Sequence, residues 1–88
     1  MPESIHHPRY QTLRAAMASA RKEAGLTQIQ MAGRLEVGQS YVSKIERGES
    51  YVDVMTYLDW YVACGMRPGA MLDALLDKTS AVKRRAKP

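Results

Sequence analysis

Residues 26–48 read Leu26-Thr27-Gln28-Ile29-Gln30-Met31-Ala32-Gly33-Arg34-Leu35-Glu36-Val37-Gly38-Gln39-Ser40-Tyr41-Val42-Ser43-Lys44-Ile45-Glu46-Arg47-Gly48, and they decide the architecture of this 88-residue chain. Thr27 is placed to cap a new helix, and Gln30, three residues on, can reach back to the Thr27 amide. Leu26 and Met31 stand at the two positions of a hydrophobic staple around that start. Met31, Ala32 and Leu35 then line one face of a short helix. A second apolar stripe, Val42 and Ile45, begins in a different phase after Gly38 and ends at Gly48. Only Glu36-Val37-Gly38 join the two helices, a link short enough to force a steep crossing.

Working outward, Tyr10, Leu13, Met17, Ala20 and Ala24 recur at helical spacing behind Pro8, so a first helix runs up to Gly25. Residues 9–22, with Arg9, Arg14, Arg21 and Lys22 and no acid, also suit a transit peptide, but Glu23 and the helix signals that follow argue against one. Asp53 is a good N-cap for a fourth helix from Val54 to Cys64, closed by Gly65. That helix is apolar almost all round and is expected to be buried on more than one side. Pro68 opens a fifth, striped by Met71, Leu72, Leu75 and Leu76. No segment alternates as a strand does. The reading is an all-α domain over 8–77, with a disordered lead-in at 1–7 and a flexible basic tail at 78–88.

Composition narrows the function. Hydrophobic residues make up 45% and charged residues 25%, as in an ordinary globular domain. The longest apolar run, Trp60 to Cys64, is five residues, far short of the roughly 18 a membrane helix needs. The single Cys64 excludes an intrachain disulfide and fits a small core residue. His6 and His7 are adjacent, without further ligands near them, so no metal site is expected. Enzyme chemistry is poorly supplied, and a binding module is the expectation. The net charge of +4 comes from 13 bases against 9 acids. Lys78, Lys83, Arg84, Arg85 and Lys87 account for five of the bases, so residues 1–77 hold eight bases against nine acids. The basic character therefore belongs to the tail, and any claim on nucleic acid must rest on placement.

Placement supplies one. Ala20-Arg21-Lys22-Glu23-Ala24-Gly25-Leu26-Thr27-Gln28, then Met31-Ala32, then Val42-Ser43-Lys44-Ile45-Glu46-Arg47-Gly48, resemble the helix-turn-helix core of the Cro/CI-type (XRE family) DNA-binding domains. The likeness continues from Asp53 to the Cys64-Gly65-Met66 step and covers residues 10–76. It implies a five-helix, lambda-repressor-like domain with helix-turn-helix at helices 2 and 3, and the third helix in the DNA major groove.

By family position, Gln39, Ser40 and Lys44 would read base edges, and Tyr41 would touch a thymine methyl or a phosphate. Gln, Ser and Lys are suited to base edges by their hydrogen bonding. Gln28, Ser43, Arg47 and the backbone at Gly48 would hold phosphates, and Arg21 would pair with Glu46 to fix the third helix. Two positions depart from the family pattern. Glu36 stands where a glycine is usual, at about 1 kcal/mol if the left-handed turn is kept. Gly38 replaces the usual Ser or Thr cap, at a few tenths of a kcal/mol.

Tyr57, Trp60 and Tyr61 exceed what so small a core is expected to hold. Core packing is expected to take one or two of them, and the remainder, with part of the fifth helix, to form a dimer contact. The function expected from the resemblance is sequence-specific binding of double-stranded DNA by a homodimer on an inverted repeat. That is a transcriptional regulator, by expectation a repressor, needing no cofactor and working in a cytoplasm of bacterial or phage type, at the nucleoid. The alternative is a protein-interaction module of antitoxin or anti-activator kind, holding a second protein on the same scaffold.

Overall fold

The computed structural model describes residues 7–79, with side chains described as far as Ala74. The described residues form five helices: α1 Pro8–Glu23, α2 Gln28–Leu35, α3 Gln39–Arg47, α4 Val54–Ala63 and α5 Pro68–Thr79. The expected lead-in, apart from His7, lies outside the described residues. So does the expected tail beyond Lys78 and Thr79, which continue α5. His7 itself is the N-cap of α1, its Nδ1 accepting from the Arg9 amide at 3.1 Å. Among the described residues, no helix is long and apolar enough to cross a membrane.

Helix starts follow the local chemistry closely. The Gln30 amide donates to Thr27 Oγ1 at 3.0 Å, and the Thr27 amide donates to Gln30 Oε1 at 2.9 Å, closing the capping box that opens α2. Leu26 and Met31, the staple pair, are both buried. Asp53 Oδ1 accepts from the Thr56 amide at 2.8 Å and opens α4. The α2–α3 turn keeps its left-handed form despite lacking glycine, with Glu36 at φ 59° and ψ 44°. Val37 closes the turn by donating to the Ala32 carbonyl at 3.0 Å. Gly38 caps α3 without a side-chain bond.

Trp60, Met17, Met31, Ile45 and Val42 are the largest fully buried side chains. They come from α1, α2, α3 and α4, so the core lies where these helices meet. α1 packs against α3, α4 and α5, while α2 packs against α3 and α4.

The aromatic surplus is not a surplus. Tyr57, Trp60 and Tyr61 are 4%, 0% and 5% exposed, all inside the core of one chain, so they cannot form the expected dimer contact. The reason is the place of α4, which touches α1, α2 and α5 and is covered on more than one side. The polar tips also find partners inside: Trp60 Nε1 donates to the Met17 carbonyl at 2.8 Å, and Tyr57 donates its hydroxyl to the Pro68 carbonyl. The Tyr57 and Tyr61 rings sit 4.9 Å apart. Burial raises the phenol of Tyr57 above its ordinary value and pushes that of Tyr61 up to about 12. The chain contains no phenylalanine, so these rings supply the bulk that phenylalanines would bring elsewhere.

Candidate nucleic-acid interface

α3 divides cleanly into an inner and an outer side. Val42 and Ile45 are fully buried, which turns Gln39, Ser40, Lys44 and Arg47 outward, all exposed. Ser43 stands half-buried at the edge of this outer face. The two cations, Lys44 and Arg47, lie toward the C-terminal end of the helix, where its dipole favours positive charge.

The outer face is held from behind by one connected set of polar bonds. Arg21, at the end of α1, grips Glu46 through Nε at 2.6 Å and Nη2 at 3.0 Å. Its remaining nitrogen, Nη1, donates to the Leu26 carbonyl at 2.8 Å, so the guanidinium ties α1, α3 and the turn before α2 together. Glu46 Oε1 also accepts from Gln28 Nε2 at 3.0 Å, and Gln28 Oε1 accepts from Gln39 Nε2 at 2.8 Å. The chain Arg21–Glu46–Gln28–Gln39 therefore fastens both ends of α3, its last turn and its first residue, to α1 and α2. Both partners of the ion pair are about nine-tenths buried, so water competes weakly for the bonds.

Gln28 thus has its side chain engaged on two sides. The anion-attracting feature at this point is the helix start itself. The capping box takes up the amides of Thr27 and Gln30, whereas those of Gln28 and Ile29 open the helix and have no acceptor within it.

At the other end of α3, Arg47 Nη1 donates to Ser43 Oγ, while Nε and Nη2 donate to Glu49 at 3.2 and 2.9 Å. The hydrogen bond and charge of Arg47 hold the Glu49 carboxyl below its ordinary value, and the same pair raises Arg47. Lys44 adds to the lowering of Glu49.

Two expected contacts are placed differently. Tyr41 is half-buried against the core, in a small cleft with Leu35, Val37, Thr56 and Asp59, because it stands at the edge of α3 nearest α4. It does not join the outward set. Gly48 takes the left-handed conformation, φ 81°, and its amide donates to the Ile45 carbonyl at 3.1 Å. Glu49 donates its amide to the Lys44 carbonyl at 2.8 Å. Both amides close α3 and are not turned toward a phosphate, since a left-handed helix end uses them on the helix's own carbonyls.

Sequence reading missed the contacts that α1 makes beyond its apolar stripe. Arg14 is buried, with its guanidinium against Gly48 and 5.9 Å from the centre of the Tyr10 ring. The Tyr10 hydroxyl accepts from the Val52 amide at 2.7 Å and donates to the Val52 carbonyl at 3.2 Å, pinning the loop after α3. Arg34 donates to the Ala63 carbonyl at 2.8 Å, at the end of α4. Tyr10, Arg14, Met17 and Arg21 share one side of α1 at spacings of four and three. That spacing was the available signal, hidden because arginines are ordinarily read as solvated. Among the described residues, no group of three or more His, Cys, Asp or Glu side chains could hold a metal ion.

Comparison with known proteins agrees with this geometry. The helix-turn-helix domain family matches residues 12–75. The chain is 41% identical to an XRE-family like protein from Pseudomonas syringae pv. tomato str. DC3000, over 85% of this chain and 92% of that one, with a TM-score of 0.79. It is 27% identical to the clp gene regulator ClgR from Corynebacterium glutamicum, over 76% of this chain and 71% of that one, with a TM-score of 0.68. No curated protein matches the chain.

Proposed function

The chain belongs to the XRE-type helix-turn-helix family of DNA-binding transcription regulators, and from that premise we propose that it represses transcription by occupying an inverted-repeat operator as a homodimer. The observation that carries this reading is the fixed α3, with Ser40, Lys44 and Gln39 outward and a buried ion pair behind it. Such a face presents donors and acceptors in a set geometry, as base reading requires. Two such helices would enter successive major grooves about 34 Å apart. A protein with this task works at the nucleoid, in the cytoplasm.

The two-fold contact cannot use the buried aromatics. It falls instead to apolar side chains that α4 and α5 leave open, Val54 at 71% and Leu72 at 48% exposure, where the two helices pack together. Repression then follows from exclusion at the operator.

The test is a selection from random duplex DNA at near-physiological salt. Enrichment of an inverted repeat with half-sites one helical turn apart is the expected result. Weak binding that vanishes as salt rises, with no sequence enriched, overturns it. Val54, Met55 and Val62 on α4 are all well exposed, which favours one second reading, a module that holds another protein in the manner of an antitoxin or anti-activator. Gln39→Ala and Lys44→Ala separate the two. On the DNA reading each weakens specific binding by about 1–3 kcal/mol, whereas capture of a protein through α4 is unaffected by either.

A further inference from the structure

The outer face of α3 carries its own anion. Arg47 offers the Nε–Nη2 edge of its guanidinium, the fork that grips a phosphate, and that edge is taken by the two oxygens of Glu49 at 3.2 and 2.9 Å. The carboxylate thus occupies the edge of Arg47 that a phosphate would take on the DNA-binding reading. Lys44, the other cation of this face, helps to hold that carboxyl below its ordinary value. Glu49 is held in place by the left-handed turn at Gly48 and by its amide bond to the Lys44 carbonyl, 2.8 Å. The carboxylate itself remains free to swing, since the side chains of Arg47 and Glu49 are 53% and 54% exposed.

We propose that Glu49 is an internal substitute for phosphate, which keeps Arg47 closed in the free protein and opens it only where DNA supplies a well-placed phosphate. This rests on the DNA-binding reading above and adds a specificity device to it. An exposed pair of this kind holds by no more than about a fivefold preference, so it cannot block binding. It can, however, discount every loose encounter in which the phosphate is out of register. Non-specific association is carried almost entirely by phosphate contacts, and that is the term Glu49 would suppress. The Ser43 hydroxyl, accepting from Arg47 Nη1, steadies the guanidinium in either state.

The experiment measures binding of the full chain to a random-sequence DNA duplex of roughly three helical turns over a range of salt. Wild type, Glu49→Gln, Arg47→Ala and the double variant are compared. Glu49→Gln is expected to bind tighter, by up to about fivefold, with a log–log salt slope steeper by up to about 0.9, one added phosphate contact. In the Arg47→Ala background the same substitution is expected to change neither. Equal affinity and slope for wild type and Glu49→Gln would overturn the proposal. So would a gain that persists undiminished without Arg47, because Glu49 would then act only as one more negative charge near DNA. A wild-type chain that binds no duplex at any salt would overturn the DNA-binding reading and this proposal together. A wild type that binds, with Glu49→Gln indistinguishable from it, overturns the role of Glu49 alone.

Discussion

The guanidinium of Arg14 covers the backbone of Gly48 so closely that a Cβ built there would lie 2.7 Å from Nη2 and 2.8 Å from both Cζ and Nε. Gly48 also sits at φ 81°, where an L side chain is strained. Gly48→Ala should therefore lower stability by about 2 kcal/mol, part from the backbone and part from displacing a buried arginine. Denaturant unfolding measures this directly, and a change within about 0.5 kcal/mol would show that Arg14 yields at no cost.

Glu46 is the acceptor on which Arg21 and Gln28 converge, at 2.6–3.0 Å. Its removal leaves a guanidinium almost out of reach of water without its counter-charge. Glu46→Ala should cost about 3 kcal/mol. Glu46→Gln, which keeps an acceptor for one donor, should cost less. The ordering is read from urea midpoints; equal losses would mean that charge plays no part.

Aromatic and apolar variants of α4 should separate into two kinds. Trp60→Ala removes a fully buried ring whose nitrogen bonds Met17, and should destabilise the chain by about 3–5 kcal/mol. Val54→Asp combined with Leu72→Asp alters two exposed side chains. That variant should stay folded by circular dichroism while its solution mass falls to that of a monomer. A mass unchanged by it removes this surface from the proposed dimer.

Asp53 gives the stability a defined acid limb. Hydrogen bonds from Thr56 hold its carboxyl below the ordinary value of 3.8. A depressed folded value means that its contribution is fully present above the ordinary carboxylate range and is lost as pH falls through the lowered value. Melting temperature followed from neutral pH to about pH 2 should drop through that window. Asp53→Asn, which caps without titrating, should flatten part of the fall. A profile identical to wild type would assign the acid loss to other carboxylates.

The legible parts of this protein are those written in neighbouring residues. Thr27 with Gln30, and Asp53 with Thr56, announce helix starts because each bond closes within three positions. Arg21 and Glu46 came from family likeness, since nothing local links residues 25 apart in sequence. Arg14 and Tyr10 were read only as a charge and a stripe position because their partners, Gly48 and Val52, lie far along the chain. The aromatics of α4 were misread because composition counts rings without saying how many sides of a helix are covered. Tyr41 sits at the border of the outer face of α3, where a small rotation decides between solvent and core.

The side of α1 formed by Tyr10, Arg14, Met17 and Arg21 reaches Val52, Gly48, Trp60 and Glu46 in turn. α3 is thus braced mainly from its rear; of its outward residues Gln39 joins the bracing through Gln28, whereas the side chains of Ser40 and Lys44 have no share in it. Those positions can drift in descent, or be exchanged by hand, without loosening the frame. On the proposed DNA-binding reading, a lineage built on this scaffold can acquire a new target site by changing Ser40 and Lys44, because these two proposed base readers are not among the side chains that keep the chain folded.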